Sequence, residues 1–420
     1  MSSQPSWFRQ RGYLHLDMPV KVAYAASLNA ASVAAHTWSP LIHYVKSEKR
    51  YKVDEHKTVA KQRSIMFASH RDACVLSKYS ADLVKRLDQW YIANDLNETV
   101  IAYRSLGQSN YHFAKRVEDF VRQQSALTVM CFDVTGFFDN LDHRRLKSRL
   151  KWIIGDEELS SDWFAVLRAV TRYRYIDLVD IKKHDELAKR LKERKHHPLA
   201  TIVDLKKLGV PIHKNLNAIG IPQGTPISAS LSNLYLTEFD QEVAAEAVKH
   251  NALYQRYSDD ILIACCPSLA NMFRSMFRSM VRDKLNEHGL TLQDKKTEIV
   301  TLCNSENGST FQYLGYQLGH VEARIRLKSL SRQWRTAKRA VKKTERVGLA
   351  AMKSGKAKQI YTRKLRMRFT TTGARNFLAY AEKSAVTLDS AALRGQARKL
   401  HKFMNREITR LRGPSKPKKD

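Results

Sequence analysis

Cysteine is scarce in this chain of 420 residues. The five cysteines form no C-x-x-C pair, and none has a histidine at the spacing of a zinc motif. A cysteine-based zinc module and a disulfide scaffold are therefore excluded. We expect reduced thiols that are mostly buried as small apolar side chains, namely Cys74, Cys131, Cys265, Cys266 and Cys303.

Long apolar runs are also lacking. No segment approaches the roughly 18 uninterrupted apolar residues that a membrane helix needs. The first residues, Met1–Ser6, lack the basic start leading into an apolar run that marks a secretory signal. We therefore expect a soluble, cytoplasmic protein with no membrane partner.

Acidic residues are few, with 41 Asp and Glu against 73 Lys and Arg, and the formal net charge is +32. The excess is concentrated at one end, because residues 324–420 hold 29 Lys and Arg against 5 Asp and Glu, a net of +24. Such a charge indicates a polyanionic partner, since phosphate relieves the self-repulsion. A merely solvated basic helix is the alternative.

The pattern along the chain separates four regions. Residues 1–125 predict polar helices with basic clusters, and residues 126–320 predict short apolar strands separated by amphipathic helices. Within the second region, about 155–215 is predicted to be an insertion that includes an exposed, charge-dense helical stretch. Residues 321–412 predict basic helices, and the Pro- and Lys-rich tail 413–420 predicts disorder. The fold class that follows is α+β with a helical appendage.

Two acidic motifs lie at the ends of apolar strands. Asp133 follows the strand 127–132, and Tyr257-Ser258-Asp259-Asp260 precedes Ile261–Ala264, which predicts a β-hairpin with acids at its tip. Carboxylates from two adjacent strands can hold the two Mg²⁺ ions that phosphoryl transfer requires. Each motif alone is weak, because an Asp-rich turn is usually a solvated loop. Together they predict a two-magnesium site.

A loop of small residues, Gly220–Ala229, lies between the two acidic motifs. Its glycines and prolines predict a tight turn, and Pro226 suits the first turn of a following helix. Such a loop lets a backbone approach a flat ligand closely. An ordinary strand-to-helix turn is the alternative for this segment alone.

In this order, these segments resemble the palm motifs of reverse transcriptases, in the bacterial branch that contains group II intron and retron enzymes. Six stretches within about residues 60–320 carry the resemblance, namely 102–110 (fingers element), 133–139 (motif A), 220–229 (motif B), 257–260 (motif C), 289–297 (motif D) and 311–316 (motif E). The resemblance implies a right-hand polymerase. Fingers with an N-terminal extension would occupy 1–125, a palm with a ferredoxin-like antiparallel sheet 126–320, and a helical basic thumb 321–412.

The resemblance also implies roles for the acids. Asp133, Asp259 and Asp260 would be the catalytic carboxylates that bind two Mg²⁺ ions, with the carbonyl of Val134 as a further metal ligand. Asp260 would be the supporting member of its pair. Lys296 would donate a proton to the pyrophosphate, and the alternative is an ordinary surface lysine.

The substrate-binding residues implied by the resemblance come from the fingers element and motifs A, B and C. Phe138 falls where the family places a steric gate against a 2′-hydroxyl, which favours dNTPs and DNA synthesis. Gln223 would line the nascent base pair, and Gly224 and Tyr257 would be further substrate-binding residues. Arg104 would hold the triphosphate, for which a planar guanidinium is suited.

Nucleic-acid contacts are implied for motif E and the thumb. Tyr313, Leu314 and Gly315 would form the primer grip. A second set is basic and covers nearly every face of its predicted helix, too many for one contact line, so part of it would meet a structured RNA. These residues are Arg332, Arg335, Lys338, Arg339, Lys342, Lys343 and Arg346.

The stretches 7–17 and 67–72 resemble the bacterial defence-associated reverse transcriptases, most of all the second type, which stands alone with a non-coding RNA. This implies anti-phage defence, with the structured RNA as template and cDNA as product. His15 and His70 are interpreted as structural. The alternatives are a retron- or intron-type enzyme without a defence role, an idle RNA-binding scaffold, and RNA-templated RNA synthesis.

Overall fold

The computed structural model describes residues 4–52, 56–193, 197–266, 270–303 and 308–412. The tail 413–420, predicted to be disordered, lies outside them. The described part is an α+β protein in three sections that follow the chain: a hairpin with flanking helices, a central antiparallel sheet, and a terminal group of helices. This confirms the predicted fold class.

The N-terminal section is built around a long β-hairpin. Its strands β1 (Leu41–Lys52) and β2 (Lys57–Phe67) pair antiparallel from Ile42↔Phe67 to Lys52↔Lys57. The helices around it are α1 (Val22–Ser27), α2 (Ala30–Ala34), α3 (His70–Ala93) and α4 (Asn110–Arg122). The expectation of helices throughout this section was wrong for 41–67. Much of the ribbon is exposed, so its charged sequence carries no apolar alternation.

The central section is one antiparallel sheet. Strand β3 (Ala126–Thr135) pairs with β7 on one side and with β8 and β9 on the other, and β6 completes the far edge. This arrangement is ferredoxin-like, as predicted. The strands beyond β3 are β6 (Leu253–Tyr257), β7 (Asp260–Cys265), β8 (Thr291–Leu292) and β9 (Glu298–Cys303).

Both faces of this sheet are buried, which explains why its strands are apolar almost throughout. Met130, Phe132 and Val134 of β3 belong to one core, and Leu127 and Val129 belong to a second core on the opposite face. The first core is closed by α3 and by helices that follow β3. These are α5 (His143–Ile154), α6 (Ser161–Thr171), α10 (Ser228–Tyr235), α11 (Thr237–Lys249) and α12 (Ala270–Glu287).

The insertion, residues 155–215, adds strands to the sheet of the N-terminal hairpin. It contains α6, β4 (Arg174–Asp177), α7 (Leu178–Lys183), α8 (Asp185–Glu193), α9 (Ile202–Lys207) and β5 (His213–Lys214). Strand β4 pairs parallel with β1, and β5 pairs antiparallel with β4. The charge-dense stretch is not simply exposed, because Leu187 joins Ile42 and Ile181 in a small core. Each of the short helices α7, α8 and α9 buries a single residue, which is too sparse to be recognised as an apolar stripe.

The C-terminal section is a small sheet followed by four helices. The sheet consists of β10 (Thr310–Tyr313), β11 (Tyr316–Gly319) and β12 (Arg324–Ile325). The helices are α13 (Leu327–Lys353), α14 (Arg363–Phe369), α15 (Phe377–Thr387) and α16 (Ala391–Arg412). They pack on the second core of the palm sheet together with α4. Across the described ranges, no helix combines the length and the apolar character that crossing a membrane demands.

Candidate active site

The three predicted acids meet where β3 and β7 lie side by side. Asp133 of β3 and Asp260, the first residue of β7, are register partners across the two strands. Asp259 immediately precedes Asp260 in the turn from β6 to β7. Tyr257 is the last residue of β6 and the register partner of Asp260 on that side. The sequence pattern of apolar strands ending in acids therefore leads to one carboxylate cluster.

Two hydrogen bonds to Ser258 hold the turn that carries Asp259. Ser258 has a φ of 61°, a left-handed conformation that a non-glycine residue adopts only where its surroundings enforce it. Its carbonyl accepts a hydrogen bond from the buried Arg256 Nη1 at 3.0 Å, and its hydroxyl accepts one from Tyr103 Oη at 3.2 Å. These contacts fix the direction in which the turn presents its acids.

Desolvation and repulsion between the acids disfavour the ionised form of Asp260. The pKa of Asp260 is raised to about 6, first by desolvation and then by the charges of Asp259 and Asp133, while Lys296 and Arg326 act in the opposite direction. Asp260 keeps part of its surface accessible, so desolvation here reflects the protein atoms around its carboxyl group rather than full enclosure. The Lys296 ammonium forms an ion pair with Asp133 Oδ2. Lys296 therefore lies in the site rather than on an unrelated surface.

This donor set fits divalent magnesium. Three carboxylates from two adjacent strands provide the oxygen ligands that Mg²⁺ prefers, and their mutual repulsion favours a cation between them. Strand β3 also brings the backbone of Val134 beside Asp133, where β3 pairs with β8. The residues present therefore fit the two-magnesium site that the sequence predicts.

The motif B loop is tied to the N-terminal hairpin. The backbone N–H of Met66, near the end of β2, donates to the carbonyl of Gln223 at 2.9 Å. Gly224 has a φ of +118°, and a Cβ atom there would lie 2.6 Å from the Met66 carbonyl oxygen. The helix that follows begins at Ser228, two residues after Pro226. Only a glycine permits this close approach of the two chains.

Phe138 lies against the same loop. The N–H of Ile221 donates to the Phe138 carbonyl at 2.9 Å, and a Cβ on Gly220 would lie 2.9 Å from the carbonyl oxygen of Asp139. The Phe138 ring is half-buried and tilted on Phe137, with 5.5 Å between ring centroids. Motifs A and B are therefore packed together, and Phe138 stays the predicted gate.

Arg104 does not have the predicted role. Its side chain is only 1% exposed and donates from Nε to Asp88 at 2.5 Å. Its other donors reach the carbonyls of Asn97 and Val100 and the side-chain oxygen of Asn97 at 2.7–2.9 Å. The guanidinium also lies over Tyr91, 4.6 Å from the ring centroid. The donors that a triphosphate would need are already used, so Arg104 is a structural residue.

Basic residues that sequence reasoning missed lie on β2. Ile65 faces the motif B loop, because a Cβ on Gly224 would lie 3.2 Å from Ile65 Cγ2. Side chains two residues apart share one face of a strand. Arg63 and Lys61 therefore project from the same face as Ile65, and the Arg63 side chain is 38% exposed. The alternation of Lys61, Arg63 and Ile65 with the uncharged polar residues Gln62 and Ser64 was the available signal.

A cavity of about 480 Å³ opens beside the acids, between β7, the β10–β11 hairpin and the start of α13. Its lining includes Tyr257, Asp260, the hairpin tip Leu314–Gly315 and Arg332. Leu314 and Gly315 have φ values of 45° and 95° and form the tight turn of that hairpin. Arg326 also lines the cavity. Sequence reasoning missed it because it precedes the dense basic run.

Tyr313 cannot grip a primer through its side chain. The ring is buried, and its hydroxyl donates to Gln255 Oε1 at 2.8 Å. Burial raises the pKa of Tyr313 well above its usual value. The residue fixes β10 to the palm sheet, and it lines the cavity together with the turn that follows it. The role of Tyr313 depends on which face of β10 its side chain occupies, and the linear motif does not show that.

The basic residues proposed for the thumb all lie on α13, and all seven are exposed. Only Ala337 and Val341 are buried in this helix of 27 residues. The narrow buried stripe leaves most of the helix circumference available. The structure thus places the charges at the surface.

The two N-terminal stretches quoted from the sequence pack together. Asp17 accepts hydrogen bonds from the N–H groups of His70 and Arg71 at 2.8 Å each, and the Tyr13 ring stacks on His70 at 4.9 Å. His15 is buried, and desolvation lowers its pKa to about 4. Its ring accepts from the N–H of Leu16. These contacts join the start of the chain to the first turn of α3.

Comparison with known proteins gives one family match. The model of the family described as "Reverse transcriptase (RNA-dependent DNA polymerase)" matches residues 59–318. No curated protein matches the chain.

Solved structures resemble the chain distantly. Apo telomerase from Candida tropicalis, truncated from its C-terminal domain, is 10% identical with a TM-score of 0.45 over 73% of this chain and 61% of that one. Telomerase from Candida albicans, in complex with a TWJ fragment of telomeric RNA, is 12% identical with a TM-score of 0.43 over 92% and 64%. The chain spans about three fifths of the length of these structures.

Proposed function

The chain belongs to the family of reverse transcriptases, RNA-dependent DNA polymerases, and from this premise we propose that it copies a dedicated, structured non-coding RNA into cDNA as part of bacterial anti-phage defence. Its substrates are dNTPs, and its cofactors are two Mg²⁺ ions. The supporting observation is that Asp133 and Asp260 are register partners of β3 and β7, that Asp259 directly precedes Asp260, and that Asp260 lines an open cavity.

In this proposal the ions are held by Asp133, Asp259, Asp260 and the Val134 carbonyl. Bound magnesium supplies activation of the attacking 3′-hydroxyl and neutralisation of the departing pyrophosphate. Lys296 contacts Asp133 but is 45% exposed, so it can leave that carboxylate and donate a proton to the pyrophosphate. Arg63 and Lys61 replace Arg104 as the cations that meet the triphosphate.

The surrounding residues orient the nucleic acid. The motif B loop around Gln223 and Gly224 lies against the nascent base pair, and Phe138 excludes a 2′-hydroxyl. The turn Leu314–Gly315 supports the primer end across the cavity from Asp260. The exposed cations of α13 contact phosphate groups and carry no sequence information.

DNA synthesis by the purified protein with its co-purified RNA, Mg²⁺ and dNTPs tests the metal assignment. Asp259→Ala with Asp260→Ala should abolish the cDNA product. The matched control is Glu157→Ala with Glu158→Ala, which removes another adjacent pair of acids from an exposed loop. Robust synthesis by the Asp259/Asp260 variant would refute the assignment.

The defence role is supported by the resemblance of stretches 7–17 and 67–72. Cells that carry the protein and its RNA should form fewer phage plaques than cells that carry the Asp259/Asp260 variant. Protection that survives this double substitution would favour an idle RNA-binding scaffold. Synthesis without any protection would favour a retron- or intron-type enzyme without a defence role. Sequencing the co-purified RNA identifies the template.

A further inference from the structure

A second group of metal-ligating side chains lies in the insertion, on the N-terminal sheet rather than on the palm sheet. Asp177 ends β4, Asp180 lies in α7 and His213 begins β5. One oxygen from each carboxylate and one ring nitrogen of His213 all lie within 4.8 Å of one another. Two oxygen ligands and an imidazole, all half-buried, form a donor set that first-row transition metals accept.

The histidine of this group is oriented by its neighbour on the sheet. The His213 ring stacks on Tyr175, with 5.0 Å between centroids and 28° between planes. Tyr175 and His213 are register partners of β4 and β5, so the stacking follows from the strand pairing. Nε2 of His213 is thereby held 3.5 Å from Asp177 Oδ2.

Asp177 is oriented from the opposite side by β1. His43 Nδ1 forms a hydrogen bond with Asp177 Oδ1, and the two residues are register partners of β1 and β4. The other ring nitrogen of His43 lies 2.7 Å from Ser64 Oγ on β2. Hydrogen bonds from an outer residue to a ligating carboxylate are a regular feature of metal sites, because they fix the ligand's direction.

Among the described residues, one ammonium group pairs with one of the two carboxylates of this group. The Lys183 ammonium lies 2.7 Å from Asp180 Oδ1, but the lysine side chain is 69% exposed. Exposed ion pairs contribute little, so displacing this lysine costs little. A divalent ion would neutralise both carboxylates at once, which a single ammonium does not do.

We infer that Asp177, Asp180 and His213 bind a divalent transition-metal ion of the zinc class, and that the ion holds β4, α7 and β5 of the insertion together where β4 pairs with the β1–β2 hairpin. The elements that supply the ligands have four, six and two residues. Elements this short have little stability of their own. The inferred role is structural and does not depend on the chemistry proposed for the palm.

Zinc binding is measured on the full chain that carries Asp259→Ala and Asp260→Ala, so that two of the three palm carboxylates cannot bind the ion. After treatment with a chelator, the protein is dialysed against Zn²⁺, and bound zinc is counted by elemental mass spectrometry. We expect about one zinc ion per chain and a zinc-dependent rise in melting temperature. Adding His213→Ala or Asp180→Asn should abolish both effects.

Two further variants keep the test decisive if His213→Ala fails to fold. His213→Cys keeps a zinc ligand, and it should add a sulfur-to-metal charge-transfer band when Co²⁺ replaces zinc. His43→Ala removes only the outer hydrogen bond and should weaken zinc binding about 10- to 100-fold.

The matched controls are His184→Ala and Asp185→Asn, which change the same residue types in the same insertion and should keep the zinc. Equal zinc in the His213→Ala variant and in its parent, or no zinc in the parent, would overturn the inference. DNA synthesis with Mg²⁺ by a chain carrying only His213→Ala should persist. Failure of the polymerase proposal is therefore distinguishable from failure of this one.

Discussion

The Arg256 guanidinium holds both carboxylate oxygens of Asp240, with Nε–Oδ1 and Nη2–Oδ2 distances of 2.6 Å each. Both side chains are fully buried, beneath the turn that presents Asp259. The remaining nitrogen, Nη1, donates to the Ser258 carbonyl at 3.0 Å. Asp240 lies on α11, so this ion pair connects the catalytic turn to a helix of the first core.

We expect Asp240→Asn to lower the free energy of unfolding by about 3–5 kcal/mol, because it leaves the Arg256 charge buried without a counter-charge. Desolvation lowers the pKa of Arg256, and the charge of Asp240 more than offsets it in the wild type. A guanidinium is effectively always protonated in proteins, so the arginine stays charged in the variant. Urea denaturation provides the measurement. The control, Glu246→Gln, breaks a partly exposed ion pair on the same helix and should cost less than about 1 kcal/mol. Equal stability of the two variants would contradict the expectation.

The raised pKa of Asp260 predicts a pH-dependent stability in EDTA. The folded protein binds this proton more tightly than the unfolded chain, so stability from this group falls as pH rises from about 4 through about 6. Asp260→Asn removes the ionised group. It should therefore stabilise the protein at pH 7.5 by about 1 kcal/mol, a value reduced for the partial exposure of the side chain.

The stabilisation by Asp260→Asn should shrink below pH 6 and vanish near pH 4. Denaturation midpoints measured across this range in EDTA follow it. Saturating Mg²⁺ should reverse the order of the two proteins at pH 7.5, because only the carboxylate binds the ion. A difference between the proteins that does not vary with pH would exclude the titration of Asp260 as its cause.

Gly224→Ala should reduce nucleotide incorporation about 100-fold, as expected for a displacement of about 1 Å in a reacting assembly. The new Cβ would meet the Met66 carbonyl oxygen at 2.6 Å and push β2 away from the motif B loop. Gly155→Ala is the control, because Gly155 also has a positive φ, 87°, but no atom within 4 Å of its Cβ position. Single-turnover kinetics should show the defect in the first variant only.

Substitution of Arg104 should affect stability, whereas substitution of Arg63 should affect substrate binding. Arg104→Ala should lower the free energy of unfolding by about 3 kcal/mol, since it removes buried, charge-assisted hydrogen bonds. Arg63→Ala should leave stability nearly unchanged and raise the KM for dNTPs roughly tenfold, the equivalent of one contact of about 1.4 kcal/mol. Melting curves and steady-state kinetics on both variants separate the two effects. The opposite assignment would restore Arg104 as the triphosphate ligand.

Phe138→Ala should weaken discrimination against ribonucleotides by about 10- to 100-fold, because the ring no longer fills the space of a 2′-hydroxyl. Competition between NTPs and dNTPs on the same template measures the ratio. Phe164→Ala, at an exposed phenylalanine of α6, is the control. Unchanged selectivity would remove the gate, and a wild-type preference for NTPs would indicate RNA synthesis.

The palm could be predicted because the apolar sequences of its strands match their buried positions in the sheet. Strands β3 and β7 are apolar on both faces, with Asp133 near the end of β3 and Asp259-Asp260 at the start of β7, so the antiparallel pairing brings these acids to the same end of the sheet. The β1–β2 hairpin was missed for the opposite reason. Its sequence is rich in charged residues and lacks an apolar alternation, and its strand character comes from pairing between distant backbone groups.

The sequence also did not reveal the direction in which individual side chains point. The linear motif around Arg104 does not reveal that Asp88 and Asn97 enclose the guanidinium. Likewise, motif E does not reveal that Tyr313 points into the core while the next two residues form the turn. The cluster of Asp177, Asp180 and His213 depends on pairing between β1, β4 and β5, none of which has a strong local signal.

The second core joins residues of the palm strands to residues from all four C-terminal helices. A deletion ending near residue 320 would uncover Leu127, Val129 and Leu262 along one side of the sheet. Such an exposed apolar surface promotes aggregation. Simple truncation of the basic helices therefore does not give a minimal polymerase. A shortened version of this protein would need new residues on the sheet face that carries Leu127, Val129 and Leu262.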